Sequence, residues 1–210
     1  MKRTTLLAMM VAVGIPLSGC GGGGGGVPTC SAFTACGGEL DGQWAIDGVC
    51  TEGDLSEAML SSSDLPAECK NALQSVSVQM SGTLTYASGT ETSDIKMTMK
   101  AKYTFTAACI SAMAGMTVPM SQEACSAAGS VGSGDPEAPV VSCSLAGNAC
   151  SCTMTMDMQG ADMDTYTVSG STIIYSGGDT AQFCVSGNNL TMRHISDGEV
   201  PAMQVKAHRK

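Results

Sequence analysis

Ser75-Val-Ser-Val-Gln-Met-Ser-Gly-Thr-Leu-Thr-Tyr86 and, after a short polar break, Ile95-Lys-Met-Thr-Met-Lys-Ala-Lys-Tyr-Thr-Phe105 carry the clearest pattern in this chain of 210 residues. In the first run Val76, Val78, Met80, Leu84 and Tyr86 hold the even positions, with Ser, Thr and Gln between them. In the second the phase switches: Ile95, Met97, Met99, Ala101, Tyr103, Phe105 and Ala107 are odd, while Lys96, Thr98, Lys100 and Lys102 take the other face. Successive side chains of a strand point to opposite faces, so each run predicts a half-buried strand. The link through Ser88-Gly89-Thr90 is too short for a parallel crossover, which makes the pair a long antiparallel hairpin.

The same alternation continues outward. Cys152, Met154, Met156 and Met158 alternate with Thr and Asp in a third strand, and a fourth starts from Tyr166 and Val168. Tyr166-Thr-Val-Ser-Gly-Ser-Thr-Ile173 is echoed by Phe183-Cys-Val-Ser-Gly-Asn-Asn-Leu190, each copy an apolar strand end, a Gly-containing turn and the next strand start. These units predict an up-and-down meander whose edges are protected by curling into a barrel or a sandwich. Helical signal is confined to short pieces. Asp64 is placed to cap one with Pro66 in its first turn and Leu65, Cys69, Ala72 and Leu73 on one face. Ser121 is placed to cap another, with Met120 and Cys125 as a hydrophobic staple and Gly129 as the stop. Residues 127 to 140, rich in Gly, Ser, Pro and acids, read as an exposed loop.

The N-terminus states an address. Lys2 and Arg3 precede an apolar run, Leu6 to Leu17, too short to span a bilayer, and Leu17-Ser18-Gly19-Cys20 follows directly. This segment resembles the lipobox of bacterial lipoproteins, which implies cleavage before Cys20 and acylation of its thiol. Residues 1–19 are then the signal peptide, and 20–29 the lipidated cysteine with a Gly-rich tether through Gly21 to Gly26. Several acyl chains hold a membrane firmly, since each buried methylene adds about 0.8 kcal/mol. Gly21 after the cysteine, in place of an aspartate, resembles lipoproteins sent to an outer membrane.

An exported chain meets an oxidising environment, and the remaining cysteines are even in number: Cys30, Cys36, Cys50, Cys69, Cys109, Cys125, Cys143, Cys150, Cys152 and Cys184. They read as five disulfides of open connectivity, with the short spans Cys109 to Cys125 and Cys143 to Cys150 or Cys152 favoured. Such staples offset a core with few aromatic residues, the Trp, Tyr and Phe making 4% of the chain. Ten basic against 19 acidic residues leave a formal charge of −9, and loss of Lys2 and Arg3 makes it more negative. Nucleic acid is not an expected partner. The scattered acids read as a solvated surface.

Cys36-Gly-Gly-Glu-Leu-Asp-Gly42-Gln-Trp44, the span from Cys143 to Cys152 with its closing Cys-Ser-Cys, and the Tyr166 and Phe183 echo resemble cysteine-rich lipoproteins of the myxobacterial type. Within that stretch Gly42-Gln43-Trp44 is similar to the Gly-x-Trp start of lipocalins. The resemblance implies a mainly β fold, an antiparallel up-and-down meander closing as a lipocalin-like barrel, with one or two short helices and multiple disulfides across residues 30–200. It also implies that Trp44 closes the barrel floor beneath a basic residue of the last strand, for which Arg193 is the candidate, although Leu190 and Met192 take the inward phase beside it. Residues 201–210 are read as a frayed basic tail, from Lys206 to Lys210.

Functional chemistry is sparse. Met97 and Met99, with Met154, Met156 and Met158, form same-face thioether sets that suit Cu(I), and equally suit an irregular core, which is the favoured reading. Ser93-Asp-Ile-Lys96 matches Ser-x-x-Lys but falls in a strand, whereas the nucleophile motif needs a helix start. Asp157, Asp162 and Asp164 lack calcium-loop spacing and read as a solvated hairpin tip. No nucleophile has a credible partner in His194 or His208, and only Cys150-Ser-Cys152 approaches zinc-ligand spacing. The expectation is a non-enzymatic, membrane-anchored envelope lipoprotein without a cofactor, with a binding or structural role and a small apolar ligand or protein partner. The alternatives are a Met-rich Cu(I)-binding envelope protein and a protein–protein assembly component.

Overall fold

A computed structural model describes residues 28–61, 65–129, 140–194 and 201–210. The signal segment, Cys20, the glycine tether, Asp64 and most of the acidic loop from 127 to 140 lie outside the described residues.

The chain runs β1 (Gly42–Thr51), α1 (Leu55–Ser61), a 3-10 turn (Ala67–Cys69), β2 (Leu73–Ala87), β3 (Thr90–Thr106), α2 (Ala107–Ala114) and α3 (Gln122–Gly129). It continues through β4 (Val140–Ala146), β5 (Ala149–Ser169), β6 (Thr172–Tyr175), β7 (Thr180–Ser186), β8 (Asn189–His194) and β9 (Met203–Arg209). Among the described residues all nine strands belong to one antiparallel sheet, in the order β3-β2-β1-β9-β8-β7-β6-β5-β4, with an additional β3–β5 pairing. The fold is mainly β, with few short helices and five disulfides, as expected.

The quoted hairpin forms with the expected phase. Ser88 and Gly89 make its two-residue turn at φ of 51° and 78°, the left-handed backbone that tight hairpins need. Even positions of β2 and odd positions of β3 are buried, so register sets Val76 opposite Ala101, Val78 opposite Met99 and Met80 opposite Met97. β5 extends these rows with Met154, Met156 and Met158. Gly82 interrupts β2 at φ 139°, where a Cβ would stand 2.1 Å from the Asp94 carbonyl oxygen. Only glycine permits the partner strand to pass that close. A bulge between Ile46 and Gly48 shifts the inward phase of β1 from Trp44 and Ile46 to Val49.

Several expectations are corrected. The two strands expected around Met154 and Tyr166 are one strand of 21 residues, so Asp162 and Asp164 sit within β5, not at a hairpin tip. Hydrogen bonding to β3 holds Thr90 opposite Thr165 through Thr106 opposite Ala149, and this keeps β5 continuous. The supposed tail is β9, hydrogen-bonded to both β1 and β8 and burying Met203, Gln204, Val205 and Ala207. Its apolar residues alternate with Lys206 and His208, so it joins the sheet despite its basic ends. Ala107 leaves the strand to open α2, because the Thr106 side chain caps the Cys109 backbone N–H at 3.2 Å. The helix expected after Asp64 shortens to a 3-10 turn, since Leu73 is drawn into β2. At the other predicted cap, Ser121 Oγ accepts from Ala124 N at 3.1 Å, as expected.

The disulfides are Cys30–Cys50, Cys36–Cys184, Cys69–Cys109, Cys125–Cys150 and Cys143–Cys152. Cys143–Cys152 agrees with the short-span preference, because the two stand directly opposite on β4 and β5. Cys109 pairs with Cys69 and not with Cys125: α2 packs on the 3-10 turn, while α3 packs on β4 and β5. Cys36–Cys184 and Cys30–Cys50 fasten the segment before β1 to β7 and β1.

Candidate binding pocket

Two residues that alternation assigns to the interior of β3 are polar. Glu91 and Ser93 are only 7% and 5% exposed, and both face a cavity of about 360 Å³. β5 brings Asp164 opposite Glu91 and Asp162 opposite Ser93, so four polar side chains form two adjacent rows on one face. Below them the rows turn apolar at Ile95 and Met97, and Gly160 opposite Ile95 adds no side chain. The turn from β6 to β7 completes the cavity with Tyr175, Ser176, Gly177 and Asp179. That turn is held by Tyr175 N donating to the Asp179 carbonyl at 2.9 Å, and Ser176 N donating to the Thr165 carbonyl at 2.9 Å.

Hydrogen bonds order the acids unequally. The Tyr175 hydroxyl donates to Glu91 Oε2 at 2.8 Å, and the Ser176 hydroxyl donates to Asp164. Asp162 accepts from Met163 N at 2.8 Å and Asp164 from Thr165 N at 2.7 Å. Burial raises the Glu91 carboxyl above its ordinary range; the Tyr175 and Tyr86 hydroxyls pull it back, and the charges of Asp164 and Asp162 push it further up. The Tyr175 hydroxyl is itself raised, first by burial and then by the charge of Glu91. Tyr166, pushed up to about 12 by burial and Asp41, stacks edge-on against Tyr86 with ring centroids 5.4 Å apart. Tyr86 in turn donates to Met192 Sδ at 3.1 Å.

The residues singled out by sequence fall elsewhere. Trp44 is fully buried with its indole N–H donating to the Leu40 carbonyl at 2.8 Å, but the guanidinium over its ring is that of Arg209, 4.6 Å from the centroid. Arg193 is bound to Glu52 by two hydrogen bonds of 2.7 Å. The expected pairing of Trp44 with Arg193 is therefore corrected: β9 sets Arg209 opposite Trp44, whereas Arg193 stands opposite Gln204. Met97 and Met99 are buried, and Met154, Met156 and Met158 pack half-buried against the same core. No group of three or more His, Cys, Asp or Glu side chains among the described residues is arranged to hold a metal ion. All ten cysteines from Cys30 onward are in disulfides.

Sequence reasoning weighed Asp162 and Asp164 only as calcium ligands and missed Glu91, Tyr175 and Asp179. One signal was present: Glu91 and Ser93 extend the inward phase of Ile95, Met97 and Met99 with polar groups. Tyr175 and Asp179 carried none, since their place beside Glu91 depends on β5 bridging β3 and β6.

Comparison of the chain with protein-family models, with curated proteins and with solved structures finds no match.

Proposed function

We propose that this chain is a lipid-anchored, non-enzymatic protein of the bacterial cell envelope whose sheet closes as an eight-stranded, lipocalin-like barrel that receives a small ligand. The carrying observation is the β3–β5 pairing. Together with the β5–β6 pairing it joins the two ends of the strand order, so that a circuit runs β1-β2-β3-β5-β6-β7-β8-β9 and back to β1. β4 stands outside this circuit, on the edge of β5. Small antiparallel barrels take ligands at their mouths, and the pocket beside Glu91 lies where β5 passes from β3 to β6.

The anchor is argued from sequence: the charged start, the short apolar run and Leu17-Ser18-Gly19-Cys20 specify an acylated N-terminus, with Gly21 favouring the outer membrane. The myxobacterial-type resemblance belongs to the same proposal. The polar lining moves the expected ligand away from a purely apolar one. Intact-mass and N-terminal peptide mass spectrometry of the chain expressed in a bacterium tests the anchor. A diacylglyceryl Cys20 that is lost in Cys20→Ser, with release from the membrane fraction, is expected; an uncleaved N-terminus or an unmodified Cys20 thiol overturns it. Native mass spectrometry of the same preparation reads whether a small molecule co-purifies.

A further inference from the structure

We propose that the outward face of β3 docks on an anionic phospholipid surface through Lys96, Lys100 and Lys102, an inference that rests on the lipid-anchored reading and adds how the domain lies on its membrane. The three lysines are exposed and share the even phase of β3, opposite to the buried row of Ile95, Met97, Met99 and Ala101. Among the described residues the ion pairs are Arg193 with Glu52 and His208 with Asp47, and none involves these lysines. Register places Lys96 between Ser81 and Gln159, Lys100 between Ser77 and Thr155, and Lys102 between Ser75 and Thr153. These neighbours are uncharged and mostly short, so the long lysine side chains rise above a polar floor. One acid shares the stretch: Asp157, opposite Thr98, accepts from the Thr98 hydroxyl at 2.5 Å.

Two independent features turn this face toward a bilayer. Charge is ordered along the strand pair: Glu91 and Asp94 of β3, with Asp162 and Asp164 of β5, lie at one end, and Lys100 and Lys102 lie toward the other. An anionic surface attracts the lysine end and repels the acidic one, which leaves the pocket facing away from it. The anchored segment, in turn, joins the sheet toward the lysine end. Thr51 N donates to the Pro28 carbonyl at 3.2 Å, and Cys30 N to the Thr51 carbonyl at 2.7 Å. β1 runs from the Tyr86 end of β2 toward its Leu73 end, and Leu73 stands opposite Tyr103, next to Lys102. The eight residue steps from Cys20 to Pro28 span at most about 29 Å, so acylation of Cys20 holds that end near the headgroups. A formal charge of −9 gives the chain as a whole no attraction to an anionic membrane, and adhesion is local to this face. A soluble polyanion would meet the same lysines; the place where the anchored segment enters is what favours the bilayer.

The test is lysine acetylation, read residue by residue by peptide mass spectrometry, on the chain purified in neutral detergent and reconstituted into vesicles. One set is phosphatidylcholine alone, the other equal parts phosphatidylcholine and phosphatidylglycerol. Acetylation of Lys96, Lys100 and Lys102 is expected to be at least about fivefold slower on the mixed vesicles, with the difference lost in high salt. Lys206, on β9 and three strands away, is expected to react equally on both. In Lys96→Gln/Lys100→Gln, changed at exposed positions and checked for fold by near-UV circular dichroism, Lys102 regains the rate it shows on phosphatidylcholine. Equal rates for the three lysines on both vesicles, with the chain still floating with them, overturn the docking and leave the anchor standing. Equal slowing of Lys206, or slowing by dextran sulfate without phosphatidylglycerol that matches the mixed vesicles, also overturns it. A chain that floats with neither vesicle overturns the anchor and the docking together.

Discussion

The guanidinium of Arg209 lies 4.6 Å from the centre of the Trp44 ring, so the penultimate residue of the chain covers a fully buried side chain of the first strand. β9 carries Arg209 there by pairing with β1 from Trp44 to Thr51. The end of the chain is thus structural. Deleting residues 201–210 strips a strand from between β1 and β8 and exposes both edges, and the expected outcome is an aggregated product with no cooperative urea transition. Arg209→Ala, by contrast, keeps the fold and costs about 0.5–2 kcal/mol in urea unfolding. Arg193→Ala breaks a surface pair with Glu52 and costs no more than about 1 kcal/mol, a difference that shrinks further in high salt.

The five disulfides differ in the length of chain they close. Cys36 and Cys184 are 148 residues apart, and Cys143 and Cys152 nine. Loop-closure entropy assigns about 5 kcal/mol to the long bridge and about 3 kcal/mol to the short one. Urea denaturation of Cys36→Ser/Cys184→Ser and Cys143→Ser/Cys152→Ser is expected to preserve that order. Equal losses would show that strain or residual structure, not chain entropy, sets their contributions.

Gly82→Ala places a methyl group 2.1 Å from the Asp94 carbonyl oxygen on a backbone with φ of 139°. The β2–β3 ladder must separate there, at a cost of at least about 3 kcal/mol. A soluble variant with an unchanged melting temperature would contradict the close approach of the strands.

Glu91 gives stability a pH dependence of definite sign. Its carboxyl is raised in the folded protein, chiefly by burial, from an ordinary value of 4.5. Between that value and the folded one, the native state binds more protons than the unfolded chain, so this contribution is fully present below pH 4.5 and is lost as pH rises through the folded pKa. Glu91→Gln keeps an acceptor for the Tyr175 hydroxyl and removes the titration. It is expected to be near neutral in mild acid and stabilising at alkaline pH, read as a difference in urea midpoints across a pH series. Glu52 runs the other way: held low by its hydrogen bond to Arg193, it loses its contribution as pH falls.

How far the fold and pocket were legible follows from these particular residues. The hairpin from Leu73 to Thr106 could be read with its turn and both phases, because alternation and a two-residue turn are local properties. The echo around Tyr166 and Phe183 marked two real hairpins, β5–β6 and β7–β8, for the same reason. Ser93 and Glu91 were legible only as polar residues on an inward phase. Nothing near them in the chain announced Tyr175 or Asp179, which lie 84 and 88 positions beyond Glu91 and reach it through a third strand.

From its sequence alone this protein has its strand phases, the inward methionines and the ten cysteines from Cys30 onward. Each depends on spacing along a few neighbouring residues. Only the tertiary structure decided that Arg209 and not Arg193 covers Trp44, that Cys109 meets Cys69, that residues 203–209 are a strand, and that Glu91, Ser93, Asp162 and Asp164 share one cavity. Those outcomes depend on which strands pair and in what register, and such long-range pairings gain their energy from burial that no local segment can supply by itself.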